Sequence, residues 1–377
     1  MEELQIKTVE TRKQLRDFIM LPAQLHKGHQ NWVPPIYRDE WNYFDNKQNL
    51  AFSYCNTILA LAYRGNELVG RIMGINNLRH NSANNEMTAR FSHFECIDDS
   101  AVAHELLRYI ENWAMAQGLT KIIGPFGMNY HDPMGFIVEG FNYSPAITTY
   151  QNFEYILLLL EKEGYVKEED LVVYKIPIKK NVPDFYQRIH QKVLANQHIR
   201  KVNFRSAKEM KNYILPVLKL FNETFSGIRG YSQLDEEEMK KLAQHYLPAL
   251  DPRFVKVVEY DGVVVGFTIA MPNISKGIIA SGGRLFPFGF LKIIQAQEQS
   301  KQLDLLIGGI HEKYRGLGID VLMGLDMIES ARKAGFEFID SHLELESNVK
   351  VRAEMEKQGG MIYKRYRIFR KDLFKVS

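Results

Sequence analysis

Cysteine is scarce in this sequence: the chain has two, Cys55 and Cys96, far apart and with no CxxC pairing. That excludes a disulfide scaffold and fits two small buried hydrophobes in a reducing compartment. Long apolar runs are missing too. The longest aliphatic stretch is ILLLL, Ile156 to Leu160, far short of the roughly 20 apolar residues that a membrane-spanning helix needs. The opening MEELQIKTVE is acidic and strand-like, without the basic flank and apolar stretch of a signal peptide, so a cytoplasmic protein is expected. Charge of one sign is also lacking. The 48 Lys and Arg against 45 Asp and Glu leave a formal charge of +3, too small and too dispersed to imply nucleic acid as a partner. What is present, 45% hydrophobic and 25% charged residues over 377 positions, is the composition of a soluble globular protein with room for two domains.

The same features occur twice along the chain. YRGNELVGRI from Tyr63 and YDGVVVGFTI from Tyr260 each read as a strand end, a tight turn at glycine and a second strand, with the tyrosines 197 positions apart. NFEYILLLLEKEGY from Asn152 and NVKVRAEMEKQGG from Asn348 each read as a short helix stopped by glycine, 196 apart. Between these anchors the register slips. One longer helix ends at Gly118 and its counterpart at Gly335, 217 apart, so each half carries an insertion of about 21 residues in a different loop. Each half reads as strand, helices, hairpin, strand, glycine-ended helix, strand, short helix and final strands. In the second half strands are expected at 202–206, 254–259, 263–271, 304–310 and 336–345, and helices at 208–225 and 235–247 and from Leu317 and Asn348. A hairpin followed by a strand-loop-helix-strand crossover gives an α+β layout with a mixed sheet. The boundary between the halves falls after the helical connector PDFYQRIHQKVLANQ, giving 1–195 and 196–377.

Between the apolar strand ending at Ile310 and the following helix lies HEKYRGLGID, which supplies Arg315, Gly316, Leu317, Gly318, Ile319 and Asp320. Glycines let backbone N–H groups approach a ligand, and a helix start offers unpaired donors and the positive end of its dipole, which together suit a phosphate. Asp320 opposes this. A carboxylate about 4 Å from a phosphate costs about 1 kcal/mol in water and about 4 kcal/mol at an effective dielectric of 20. Lys313 and Arg315 supply compensating charge, and an aspartate in the first helical turn can face solvent. The counterpart in the first half, ECIDDSAVAHE, has neither glycine nor arginine; Asp98 and Asp99 precede Ser100, which is the expected helix cap.

This element order and loop resemble the GNAT acyltransferase superfamily, here as a tandem pair of GNAT-like domains spanning nearly the whole chain. The family's loop pattern is Arg/Gln-x-x-Gly-x-Gly/Ala, matched at five of six positions from Arg315 to Asp320. The resemblance implies that Ile310 and Arg315 to Asp320 hold the pyrophosphate of acyl-CoA, or a related phosphopantetheine thioester, as co-substrate. It also implies that the first half is a degenerate copy shaping an acceptor cleft. Many members protonate the leaving thiolate with a tyrosine seven residues after the asparagine of the short helix; from Asn348 that position is Met355, so this role does not carry over. NWVPPIYRDE, GRIMGINN, IIGPFGMN, GRLFPFG and EKQGGMIYKRYRIFRKDL together look like a bacterial tandem-GNAT family that resembles the bacterial ceramide synthases, which acylate the amine of a long-chain sphingoid base.

Acyl transfer to an amine needs a base for the ammonium proton. In DSHLELESN, strand alternation puts Asp340, His342, Glu344 and Glu346 on one face, and half-buried neighbours of this kind shift one another's pKa. Glu344 or His342 is the expected base, with Glu346 and Asn348 as orienting groups. A metal site and a structural polar network are the competing readings. The insertion from Gly124 to Asn152 is too long for a plain connection and offers Asn129, His131, Asn142 and Tyr150 as acceptor contacts. The second insertion, GGRLFPFGFLKII, adds Arg284 and Phe286. It suits packing between the domains, a wall for an acyl chain, or a peripheral contact with the inner membrane, with KRYRIFRK as a partner for an anionic surface.

Overall fold

The computed structural model of the protein describes residues 2–178, 183–228 and 230–373. Its strands are β1 Leu4–Thr8, β2 Cys55–Arg64, β3 Glu67–Asn77, β4 Thr88–Cys96, β5 Lys121–Gly124, β6 Phe136–Glu139 and β7 Val166–Pro177 in the first half of the chain. They continue as β8 Ile199–Val202, β9 Val255–Tyr260, β10 Val263–Pro272, β11 Gln302–Ile310, β12 Phe338–Asp340, β13 Glu344–Leu345 and β14 Met361–Asp372. All belong to one mixed sheet in the order β1-β2-β3-β4-β5-β14-β7-β12-β11-β10-β9-β8, with β6 added to β14 and β13 to β7. This is the expected α+β architecture.

Two strands are exchanged between the halves. β14, from the second half, lies between β5 and β7, and β7 from the first half carries the sheet on to β12. Phe369 stands opposite Gly124 and Ile339 opposite Ile176. The chain crosses between the halves through the helix Asp184–Leu194, yet the sheet does not divide there.

Each half has one parallel pair whose strands run together only briefly. β4 and β5 pair from Thr88 to Arg90, and β11 and β12 pair from Gln302 to Asp304. Beyond those points the strands part. An amphipathic helix covers each crossover: Ser100–Ala116 buries Val102, Leu106, Leu107 and Ile110 against Phe91, Phe94 and Ile122. Its counterpart Ile319–Lys333 buries Leu322 and Met323 against Val258 and Val265, and Met327 and Ala331 against Phe254 and Leu303. These stripes follow the helical period, as burial of one face requires.

The stretch read as a single strand from Phe336 to Leu345 is broken. Its backbone leaves β12 after Asp340, passes through His342 at φ 58°, and returns as β13. KRYRIFRK is also not a surface for anions. It lies within β14, where Lys364 is buried and pairs with Asp340, Arg367 pairs with Asp170 at 2.8 Å and Lys371 with Glu111 at 2.9 Å. Lys364, fully buried, must have its charge met inside the fold, whereas the Arg370 side chain remains 43% exposed.

Candidate active site

The loop Arg315 to Asp320 connects the free end of β11 to the helix Ile319–Lys333. Gly316 and Gly318 both adopt left-handed φ, 80° and 82°, a conformation that suits glycine. Gly318 caps the helix without a side chain: no side-chain hydrogen bond closes this end among the described residues, and the first backbone bond runs from Leu322 N–H to Gly318 O. The N–H groups of the first turn therefore remain available as anion donors. Arg315 Nε donates to Ile310 O at 3.2 Å, fixing the loop against the strand end. Arg315, Gly316 and Leu317 are exposed, Ile319 is buried, and Asp320 points into solvent. The connector helix flanks this loop. A Cβ on Gly318 would lie 2.8 Å from Cγ2 of both Ile189 and Val193, so only glycine fits there.

The equivalent end in the first half is closed. Asp99, not Ser100, is the cap: its carboxylate accepts from the N–H groups of Ala101 and Val102 and pairs with Arg64 at 2.7 Å. That carboxylate occupies the donors an anion would use.

Where β11 and β12 part, Asp304 and Asp340 stand side by side, both buried. Burial alone would raise Asp340; the Lys364 ammonium at 2.9 Å overrides it and holds the carboxyl below its usual range. Tyr363 donates a very short hydrogen bond to the same carboxylate. Asp304 accepts from Gln302 at 2.7 Å and Asn273 at 2.8 Å, and burial with the neighbouring Asp340 charge pushes it up to about 7. This closed network holds the fork in the sheet. The sequence signal that could have revealed it is Asp304 itself, one acid inside the apolar run LDLLIGGI.

The break at His342 separates the four groups expected on one face. Asp340 belongs to the buried network. His342 Nε2 donates to Ile147 O at 2.9 Å and lies 3.3 Å from Thr148 Oγ1, tying the insertion from Gly124 to Asn152 to the fork; burial lowers its pKa. Glu346 is paired with Lys167 at 2.8 Å and with Arg365, and these partners keep it ionised, Lys167 first. Asn348 precedes the helix Val349–Lys357, makes no side-chain cap bond, and accepts the Arg352 N–H at its carbonyl. Met355 is buried in the core beside Tyr174 and Ile176.

Glu344 differs from all of these. It is half-buried on β13, burial alone pushes it up to about 7, and no hydrogen bond or ion pair engages its carboxylate among the described residues. The buried phenol of Tyr130 feels its charge. Residues on either side of Tyr130, Asn129 and His131, line a cavity of about 100 Å³ together with Glu238 and Lys241 of the second half. Tyr54 Oη lies 2.7 Å from Asn129 Oδ1 and 2.6 Å from Glu238 Oε1, which fastens the halves there. Asn142 is exposed. Tyr150 packs its ring 6.0 Å from Phe136, in the first half. The second insertion forms two helices, Ser275–Ser281 and Gly289–Gln299, with Arg284 and Phe286 in the turn between them; Ile274, Ile278 and Ile293 pack against Val33, Ile36 and Ile147 of the first half, while Phe286 and Phe288 are 69% and 70% exposed, so one side of the insertion lies between the halves and the other faces outward.

Two parallel pairs that part, each ahead of a crossover helix and repeated in one chain, match a known solved architecture. A tandem GNAT protein from the clavulanic acid biosynthesis pathway superposes over 100% of both chains, with a TM-score of 0.57 at 12% identity. The chain has the tandem GNAT fold. Over its full span this tandem GNAT chain is also 28% identical across 378 residues to a protein named bacterial ceramide synthase from Caulobacter vibrioides, covering 98% of each. It is 25% identical over 383 residues to Protein YghO of Escherichia coli, covering 98% of this chain and 95% of that one. No protein-family model matches.

Proposed function

We propose that the protein is an N-acyltransferase that moves an acyl group from acyl-CoA, or from an acyl-carrier thioester, to an amine. The observation that carries this reading is Glu344: an unpartnered carboxylate poised near neutrality, beside the fork whose free strand leads to the uncapped loop. In this reading residues 196–377 hold the donor, with the pyrophosphate on the N–H groups of Gly316 to Asp320 and beside Arg315. Residues 1–195 shape the acceptor cleft. Glu344 takes a proton from the ammonium, the freed nitrogen bonds to the thioester carbonyl carbon, and as the C–S bond breaks the second proton of that nitrogen passes through water to the leaving thiolate. His342 positions the insertion loop, and Glu346 and Asn348 hold β13 and the following helix in place. Asp320 weakens donor binding by a few kcal/mol at most against about −8 kcal/mol for a micromolar complex.

A long-chain lipid amine such as a sphingoid base is the acceptor we favour. Two observations support it: the relative named bacterial ceramide synthase, and the exposed Phe286, Phe288 and Leu291 on the helical hairpin, an apolar ridge suited to a peripheral membrane contact or to an acyl chain. No helix among the described residues is long and apolar enough to cross a membrane. Met355, buried where the superfamily often places its acid, favours a second reading as a non-catalytic acyl-CoA or lipid binder. Calorimetric titration with coenzyme A, acetyl-CoA and palmitoyl-CoA, alongside a transfer assay with a long-chain amine, separates the two. Donor binding with turnover lost in Glu344→Gln supports the enzyme; donor binding without any turnover supports the binder, and no donor binding refutes both.

A further inference from the structure

The first half carries a second polar cluster that the donor loop and Glu344 leave without a task. It gathers Glu40 from the helix Tyr37–Tyr43, Arg71 from β3, His93 and Glu95 from β4, and Tyr150 from the insertion loop. β4 mirrors β11, and His93 lies in its unpaired stretch at φ 52°, a conformation that costs a non-glycine residue about 1–2 kcal/mol. That turn sets His93 Nδ1 2.9 Å from Ser92 Oγ and Nε2 3.9 Å from Glu40 Oε2. Glu95 pairs with Arg71 at 3.1 Å, and Arg71 Nη1 donates to Phe18 O at 2.7 Å.

A cluster serving only the core would be closed, because each buried polar atom left unpaired costs roughly 1–3 kcal/mol. This one is open. Arg71 Nε and Tyr150 Oη are buried here without a hydrogen-bond partner among the described residues, and Glu95 Oε2 has His26 Nε2 at 3.7 Å; Arg71 is only 4% exposed. Glu40 is the member that solvent reaches, its side chain 20% exposed, and no described residue donates a hydrogen bond to it. Burial first, and the carboxylates Glu95, Asp39 and Asp132 against the single guanidinium of Arg71, push Glu40 up to about 7, with His93 kept neutral by burial. The sum favours a cation. One turn before Glu40, Tyr37 N–H donates to Gly283 O at 3.0 Å, at the start of the turn that exposes Phe286 and Phe288. Glu40 thus sits one turn along the helix whose start is fastened to the hairpin that carries Phe286 and Phe288, with the Arg284 guanidinium acting on Tyr37 at that joint.

We propose that Glu40, with Tyr37, His93 and Tyr150 around it, receives the ammonium head of an amphiphilic amine whose tail lies along the hairpin at Phe286 and Phe288. Acceptor recognition then belongs to the first half and donor recognition to the second. This inference rests on the acyl-transfer reading for its role as an acceptor site, but the binding it describes is measurable without turnover.

The test is calorimetry with n-dodecylamine below its micelle concentration, with dodecan-1-ol as the uncharged control, on the full chain and on Glu40→Gln, Glu40→Asp and Asp320→Gly. The glutamine variant removes an unpartnered charge and is expected to fold. Wild type is expected to bind the amine at least tenfold more tightly than Glu40→Gln does, with Glu40→Asp retaining most of the affinity and dodecan-1-ol binding equally to all. Equal amine affinity in wild type and Glu40→Gln, or no amine binding by wild type, overturns the proposal. Amine binding lost in Glu40→Gln while neither wild type nor Asp320→Gly binds coenzyme A would leave the cation site standing and refute the donor reading instead.

Discussion

Replacing Glu344 with glutamine should abolish transfer and, above neutral pH, stabilise the protein. Burial lifts this carboxyl to about 7 from an ordinary value of 4.5. A difference of about 2.5 units at about 1.4 kcal/mol each gives a ceiling of about 3.5 kcal/mol for ionising Glu344 in the fold; residual water contact lowers this to about 1–3 kcal/mol. The folded protein holds this proton more tightly than the unfolded chain does. Its contribution to stability is therefore full below pH about 4.5 and is lost as pH rises towards about 7, beyond which the whole penalty applies. Glutamine never ionises. Thermal unfolding of wild type and Glu344→Gln should coincide near pH 4.5, and at pH 8 the variant should melt higher, by about 2–4 °C for each kcal/mol in domains of 150–250 residues. Loss of a general base should lower turnover by about 10²–10⁴-fold, while coenzyme A affinity stays unchanged. Wild-type kcat/KM should rise about tenfold per pH unit to about pH 7 and then level. A variant that melts lower than wild type at pH 8, or that retains transfer within a few-fold, refutes the assignment, because either result means that the carboxylate is engaged structurally.

Asp340→Asn should cost about 3–5 kcal/mol, since it strands the buried Lys364 ammonium; chemical denaturation measures this, and a loss under 1 kcal/mol would show that the pair is solvated. Asp320→Gly should tighten coenzyme A binding by about 1–4 kcal/mol, more at low salt than at high, and an unchanged affinity would mean that Asp320 lies outside the field of the phosphates. Phe286→Ser combined with Phe288→Ser should reduce partition to vesicles containing phosphatidylglycerol by at least about tenfold while shifting stability by less than about 0.5 kcal/mol, as exposed sites do; vesicle binding that does not change would exclude the hairpin as the contact. Residues 1–195 and 196–377 expressed separately should each aggregate and should recover a folded state when co-expressed, because each alone lacks a strand that the other supplies; a monomeric, cooperatively folding half would contradict the exchange.

The fork loop and its helix were readable because they depend on local chemistry. Two glycines at the positions that require left-handed φ, followed by an amphipathic period, fix the turn and the helix start to within two residues of Leu317. The hairpins at Gly65 and Gly262 were readable for the same reason. The exchange of β7 and β14 was not readable, because alternation tells which face of a strand is apolar but not which strand, some 190 residues away, lies beside it. The break at His342 is not visible for a related reason: DSHLELE alternates as a strand would, and at the break His342 N–H goes to Asp340 Oδ1 at 2.7 Å and its imidazole to Ile147 O at 2.9 Å. Glu40 and His93 escaped notice because each sits alone in its segment, and folding alone brings them within 4 Å.

The exchanged strands also explain why the fork beside Glu344 depends on β14. β7 and β14 pair antiparallel from Val166 opposite Arg370 to Lys175 opposite Met361, and their charges interlock: Arg365 and Arg367 with Asp170, Arg370 with Glu168 at 3.4 Å. The same strand delivers Lys364 to Asp340 at the point where β11 and β12 part. Without that ammonium, Asp304 and Asp340 would be two adjacent buried carboxyls, of which at most one could ionise cheaply. The fork could close only by protonation or by drawing in water. The lysine removes that frustration, so the fork beside Glu344 is set by a residue of β14 paired against the first half's β7, and the fork acquires its geometry only when both halves are present.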